Sequence, residues 1–266
     1  MTIFLGFGCF RKCSVIDKVQ NRACRFYLGT HAKAPLPGLH GETGWMLPKY
    51  RHFLAMFRNW NRFNKMNMNR ITRKVLVWDS KQNVKSWVNE LRNICQKLVC
   101  DEPKLNELYN LKYIKELLDN LQLTEWKQSV LSKPKLRNYK IYKTTFEAEQ
   151  YVCQYQSKRK RSLFAQLRLG ILPLEIETGR YRRILEENRF CPFCKNITED
   201  EMHFICVCPT YIGFREVMFK IINQNYPEFT NINNEHKFFY IMSCNNKCVL
   251  DFVEAAWRQR MSLLYK

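Results

Sequence analysis

A mostly α-helical protein of two helical subdomains, the second containing a small Cys-Cys-His-Cys zinc knuckle, is what the sequence predicts. Three observations predict it. Apolar residues recur at three- and four-residue steps along most of the chain. Glycine and proline are scarce, 9 of each in 266 residues. A Cys-x2-Cys pair, Cys191 and Cys194, is followed at close range by His203, Cys206 and Cys208.

Hydrophobic residues make up 46% of the chain and aromatics 14%, the composition of a packed core and not of a disordered tail. The apolar opening Met1–Phe10 has no basic start, is broken by Gly6 and Gly8, and ends at Arg11-Lys12. It is too short for a bilayer and a poor secretory signal, so the expected setting is intracellular, nucleus or cytoplasm, with no membrane span. Lys and Arg outnumber Asp and Glu by 44 to 24, a net charge of +20. Such a surplus points to a polyanionic partner. Nucleic acid and an anionic membrane surface would both satisfy it, and general solubility is the bland alternative. Twelve cysteines without a secretory signal argue against a disulfide framework. Cys9, Cys13, Cys24, Cys95, Cys100 and Cys153 lie among apolar neighbours and read as buried thiols.

The first subdomain, residues 1–132, opens with a basic amphipathic helix, Ser14–Leu28, with Val15, Val19, Ala23 and Phe26 on a shared face. Ala34–Gly44 is so rich in Gly and Pro that no long regular element is expected there. Pro48 suits a helix entry, and Lys49 to about Phe63 reads as helix. At about 100° per residue, Phe53, Phe57 and Trp60 share one side, with Arg51, Arg58, Arg62 and Lys65 nearly opposite. No acidic residue occurs from Tyr50 to Val77, so the stripe fits either a phosphate-tracking surface or a solvated face. Two core-facing helices follow. One runs through Val84, Trp87, Leu91, Ile94 and Leu98, the other through Leu105, Leu108, Leu111, Ile114, Leu117, Leu118 and Leu121. Residues 133–145, basic and without an apolar period, are expected to link the subdomains.

The second subdomain, residues 146–266, starts with a helix over Phe146–Tyr155. The run Ser157-Lys-Arg-Lys-Arg161 then enters a helix that Leu163, Phe164 and Leu167 continue until Gly170 and Pro173 stop it. That run fits phosphate contact, a nuclear import signal or a solvated face. Gly179-Arg-Tyr-Arg-Arg183 leads into the cysteines. After them, Phe214, Val217, Met218, Ile221 and Ile222 outline one amphipathic helix, and Phe252, Val253, Ala256 and Trp257 a last one.

Zinc takes thiolate and imidazole ligands at four tetrahedral corners. Cys191-Pro-Phe-Cys194 turns tightly enough for both sulfurs to face one ion. Thr198-Glu-Asp-Glu201 reads as a capping box, with Thr198 at the N-cap of a helix that presents His203. The fourth ligand is Cys208 or Cys206. Cys208 is preferred, because leaving the helix end just before Pro209 frees its sulfur to close the tetrahedron. One structural zinc site within residues 191–208 is therefore expected, closed by four protein ligands and so without an open position for hydrolysis. Arg189 and Lys195 are expected to offset its negative charge. Cys244, Cys248 and His236 form a looser second grouping that a helix or turn explains as well.

With the knuckle placed, a resemblance emerges. Leu167-Arg-Leu-Gly170, Leu174, Glu177-x-Gly-Arg-Tyr181, Arg189-x-Cys191-x2-Cys194, Glu199-Asp-Glu-x-His-Phe204 and Cys208-Pro-x-Tyr211, with Arg215 beyond, form one ordered series. It resembles the C-terminal region of non-LTR (LINE-type) retrotransposon reverse transcriptases. Asn21-Arg-Ala-Cys-Arg-Phe-Tyr-Leu-Gly29, Gly41-Glu-Thr-Gly-Trp45 and Arg58-Asn-Trp-Asn-Arg62 look like the segment that follows the polymerase domain in such elements. The resemblance covers nearly the whole chain and rests on the order of motifs that are individually modest. It implies a post-palm, thumb-like first subdomain and a nucleic-acid-handling tail without the enzyme. Such polymerases need carboxylates converging on two metal ions, usually with an adjacent Asp-Asp. The Asp here (Asp17, Asp79, Asp101, Asp119, Asp200, Asp251) are dispersed, and Glu199–Glu201 is better explained by helix capping.

The expected function is a zinc-binding module, not an enzyme, that grips RNA or an RNA–DNA hybrid mainly through phosphates. Candidate contacts are Lys158, Arg159, Lys160, Arg161, Arg180, Arg182, Arg183 and Arg189, with Arg58 and Arg62 from the first subdomain. Phe193 either stacks on an unpaired base or packs over the metal site. A zinc-stabilised scaffold that docks on a polymerase-bearing protein, and a retroelement remnant without function, are the alternatives.

Overall fold

The computed structural model describes residues 14–82, 86–154, 157–244 and 246–265. The apolar opening, Cys9, Cys13, Val84 and Tyr155 lie outside the described residues. The protein is mostly α-helical. Among the described residues no strand forms, only an isolated antiparallel bridge between Phe190 and Thr198. In chain order the helices are α1 (Ser14–Leu28), α2 (Leu36–Thr43), α3 (Pro48–Asn64), α4 (Ile71–Ser80), α5 (Trp87–Leu98), α6 (Leu111–Leu131) and α7 (Tyr139–Tyr142). They continue with α8 (Gln150–Cys153), α9 (Lys158–Arg168), α10 (Glu175–Tyr181), α11 (Ile212–Asn225), α12 (Asn234–Ser243) and α13 (Lys247–Leu264).

The chain divides into two compact units, and the division differs from the expected one. Among the described residues, the first unit joins those up to Gln20 to those of Met46–Trp126; the second joins Asn21–Trp45 to those from Lys127 onward. In the first unit the aromatic face of α3 (Phe53, Phe57, Trp60) meets Leu76 of α4, Trp87, Leu91 and Ile94 of α5, and Ile114 and Leu118 of α6. Arg51, Arg58, Arg62 and Lys65 lie exposed on or just beyond α3, as their spacing predicts. The expected helix through Leu105 and Leu108 begins only at Leu111. Asn110 caps it, its Oδ1 accepting from the Lys112 and Tyr113 N–H at 3.1 and 3.3 Å. Leu108 is exposed, and the segment before the cap is held by side-chain amides. Asn61 and Tyr109 exchange two bonds at 2.8 and 2.9 Å, and buried Arg73 bridges Asn64 and Asn106, each at 2.5 Å.

The second unit holds most of the corrections. Residues 133–145 are folded and are not a linker: Pro134–Leu136 is a 3-10 turn, α7 follows, and Leu136 and Tyr139 are fully buried. Two side chains sufficed for burial, too few to show as a period. Ala34–Gly44 forms α2, short but almost wholly buried, because contact with the rest of the unit outweighs the poor helix propensity of its glycines. Gly44 ends it at φ 60°, where a Cβ would lie 2.1 Å from the Ala148 nitrogen. Of Phe146–Tyr155 only α8 is helical, and Cys153 is exposed, not buried. On α1 the buried residues are Gln20, Cys24 and Leu28, while Val15, Val19 and Phe26 face solvent. On α11 they are Arg215, Met218 and Ile222, with Phe214 and Val217 exposed.

A buried charge network ties these segments together. Arg168, at the end of α9, places its Nε 3.1 and 3.0 Å from the two carboxylate oxygens of Glu42 on α2 and its second amino group 3.0 Å from Oε1. Its remaining donors reach Glu149 at 3.2 Å and the Met242 carbonyl. Tyr151 donates to Glu42, and Tyr142 donates to the Arg168 carbonyl at 2.5 Å. Glu42 and Arg168 come from two of the sequence motifs, 126 residues apart, and both are buried. Elsewhere in the unit, α9 and α11 pack on α13.

Candidate metal centre

The knuckle begins as a narrow hairpin. Cys191 N–H donates to the Ile197 carbonyl at 2.9 Å and Glu199 N–H to the Arg189 carbonyl at 2.9 Å, which sets Cys191 and Cys194 at its closed end. Lys195 N–H closes the turn onto the Cys191 carbonyl at 2.9 Å, with Lys195 itself at φ 60°. Backbone N–H groups point at the sulfurs: those of Phe193 and Cys194 at Cys191, that of Asn196 at Cys194, and that of Thr210 at Cys208. Each such donor stabilises a thiolate.

The second half is a π turn, His203–Val207, entered through Glu201 and Met202. Its cap is Asp200, whose Oδ1 accepts from the His203 N–H at 2.7 Å, and not Thr198, which lies two residues earlier, opposite Phe190 in the hairpin. Glu201 does not reach back to the cap either. It is buried and binds Arg137 at 2.7 Å and Asn138 at 3.1 Å. Glu199 is buried as well, its carboxylate held by both amino groups of Arg260 on α13 and by the N-terminal N–H of α10 at 2.8 Å. The three acidic residues thus have three different structural roles.

Cys191, Cys194, His203 and Cys208 bring their ligand atoms within 4.8 Å of one another. Cys191 Sγ lies 3.9 Å from Cys208 Sγ, and Cys194 Sγ lies 3.4 Å from His203 Nε2. A tetrahedral zinc with its usual bond lengths separates two sulfurs by roughly 3.8 Å and a sulfur from a nitrogen by roughly 3.6 Å, so the four residues fit such an ion. Cys208 shares a hydrogen bond with Cys191 that lowers its own pKa to about 6 and, together with burial, pushes Cys191 up to about 12. One thiolate is therefore already favoured in the cluster. Cys206, the alternative ligand, is outside the cluster; burial holds its thiol up at about 12.

The π turn explains the choice between the two cysteines. In an α-helix, residues three apart point about 60° from each other and residues five apart about 140°, which would favour Cys206. Here Cys208 N–H bonds to the His203 carbonyl at 2.8 Å, a five-residue closure that widens the turn and brings Cys208 beside His203. Arg215 on α11 fixes that geometry. Its Nε donates to the Ile205 carbonyl at 2.8 Å and its amino group to the Cys208 carbonyl at 2.5 Å, satisfying two buried acceptors at the end of the turn. Replacing Arg215 with Met is expected to cost about 2–4 kcal/mol through those two orphaned carbonyls, read as a lower urea midpoint.

Arg215 also sets a positive charge near the Cys206 and Cys208 sulfurs. The Arg189 guanidinium is engaged with the Ile184 and Ile176 carbonyls at 3.0 and 2.9 Å, and Lys195 is solvent-exposed. Other candidate contacts are partly neutralised. Lys160 pairs with Asp251 at 2.5 Å, Arg159 with Glu254 at 3.6 Å, Arg180 with Glu177 at 3.5 Å, and Arg182 with Glu175. Arg161 donates to the Tyr27 carbonyl and covers its ring, and Lys158 sits 4.6 Å above the Phe26 ring. Arg183, Arg58 and Arg62 are exposed. Phe193 is half-buried, edge-on to Tyr211 with the Arg260 guanidinium 5.6 Å from its ring centroid.

Cys244 and Cys248 turn to separate carbonyls, those of Ile241 and Met218, while exposed His236 bonds to Asn233, so the looser grouping is not assembled. Spacing alone gave Arg215 and Arg260 no structural role. The available signal was a charge on an apolar stripe: Arg215 in line with Tyr211, Met218 and Ile222, and Arg260 with Val249, Val253 and Ala256. The candidate centre stands on its own geometry, for the chain matches no family model, no curated protein and no solved structure.

Proposed function

We propose that the chain is a nucleic-acid-binding module organised by one structural zinc ion, held by Cys191, Cys194, His203 and Cys208, and that it grips RNA or an RNA–DNA hybrid mainly through phosphates. The observation that carries the reading is a four-ligand Cys/His cluster within a chain of net charge +20. Zinc closes the turn between the hairpin and the π turn; its four protein ligands leave it no water to activate. Arg58, Arg62 and Arg183 are exposed and are the proposed phosphate contacts, while Lys160 and Arg182 would first have to give up their carboxylates. The resemblance to the tail of LINE-type reverse transcriptases supports the same reading.

The test is zinc content of the purified protein followed by RNA binding across a salt series. One zinc per chain is expected, with affinity falling about tenfold or more between about 50 and 200 mM salt. Zinc without salt-sensitive RNA or hybrid binding would overturn the nucleic-acid reading and leave a zinc-stabilised scaffold.

A further inference from the structure

The outer face of α4 carries a feature that the metal centre does not use. Ile71, Val75 and Trp78 follow one another at steps of four and three residues, and they are 76%, 41% and 60% exposed. At about 100° per residue the three on the helix occupy a sector of only about 60°. Arg73, Leu76 and Asp79 form the opposite, buried face. Arg70, Lys74 and Lys81, all exposed, line one edge of the apolar row. Asp79 does not moderate them, for its carboxylate is turned inward onto the Val88 N–H at 2.8 Å.

We infer that this face docks a helix of a partner protein, one with an apolar seam and acidic residues along its edge. The four-three spacing and the narrow sector are those of a coiled-coil seam, whereas a helix lying on a membrane presents a wider apolar face. Nucleic acid would use Trp78 and the cations but would gain nothing from burying Ile71 and Val75. A second copy is disfavoured by charge: an antiparallel pairing sets the cationic row against itself, between two chains of net +20. An acidic flank on the partner answers the row directly, and Trp78 is the side chain best suited to anchor the contact.

The full chain is titrated with a synthetic peptide of three heptads carrying Leu at the seam and Glu along its edges, and with a scrambled peptide of the same composition. The seam peptide is expected to bind at least about tenfold more tightly than the scrambled one, and Trp78→Ala to weaken it by about tenfold or more. Lys74→Glu with Lys81→Glu weakens it too, and a peptide with Lys in place of Glu restores binding to that variant. RNA affinity of Trp78→Ala stays as it was, which separates this surface from the proposed nucleic-acid function. Equal binding of both peptides, or a seam affinity indifferent to Trp78→Ala, overturns the inference. So does a Trp78→Ala variant that loses a single-stranded RNA oligonucleotide or phosphatidylserine vesicles in place of the peptide.

Discussion

Exchanging Glu42 for Gln is expected to destabilise the protein by about 3 kcal/mol, and exchanging it for Ala by about 5. The reason is what remains rather than what is removed. Arg168 is buried, and its Nε and one amino group converge on the Glu42 carboxylate. Gln preserves the shape but not the charge, leaving a buried guanidinium to share Glu149, which already binds Lys143 at 2.5 Å. Ala additionally strands the Tyr151 hydroxyl. A Tyr151→Phe control should lose only about 2 kcal/mol, the usual worth of one hydrogen bond to a charged group. Thermal denaturation reads the difference, with the Gln variant melting roughly 10 °C lower. A loss below about 1 kcal/mol would mean that water reaches Arg168 and that the network is not the buried tie described above.

The second large effect separates the two candidate cysteines. Cys208→Ser is expected to weaken zinc binding at least about 100-fold, since losing even the supports around a ligand costs about 10–100-fold. Cys206→Ser should retain one zinc per chain, because its sulfur lies outside the four-atom cluster. Competition with a chromophoric chelator measures both. The reverse pattern would mean that His203–Val207 closes as an ordinary α turn, which brings His203 and Cys206 to one face.

Both results bear on what was legible in the sequence. The Cys/His cluster was, because Cys191-x2-Cys194 and a His followed by Cys are local spacings. The same holds for α3, α5 and α13, whose periodic residues are largely buried. The π turn was not legible, since the sequence preference for Cys208 rested on a frayed helix end and no residue between His203 and Cys208 announces a five-residue closure. Nor was the facing of α1. Its more hydrophobic stripe, Val15, Val19 and Phe26, faces solvent, while Cys24 is drawn inward toward Thr43 at 3.7 Å and the neighbouring Tyr27 donates to the Val152 carbonyl at 2.8 Å. Distant partners decided that facing. The acidic triplet after the hairpin failed for the same reason: Arg260 lies 61 residues from Glu199, beyond any local pattern.

The discontinuity of the second unit has a consequence for the order in which the protein is made. Residues 46–126 are an insertion within that unit, and a chain leaving the ribosome exposes α2 long before Arg168 exists. At about 5–20 residues per second, the 126 residues between Glu42 and Arg168 take roughly 6–25 s to translate. During that interval the first unit is complete and can fold, whereas Leu39, Glu42 and Gly44 wait without their partners. Maturation is therefore inside-out along the message: the interrupting segment settles first, and the flanking pieces close around a salt bridge that only late synthesis can supply.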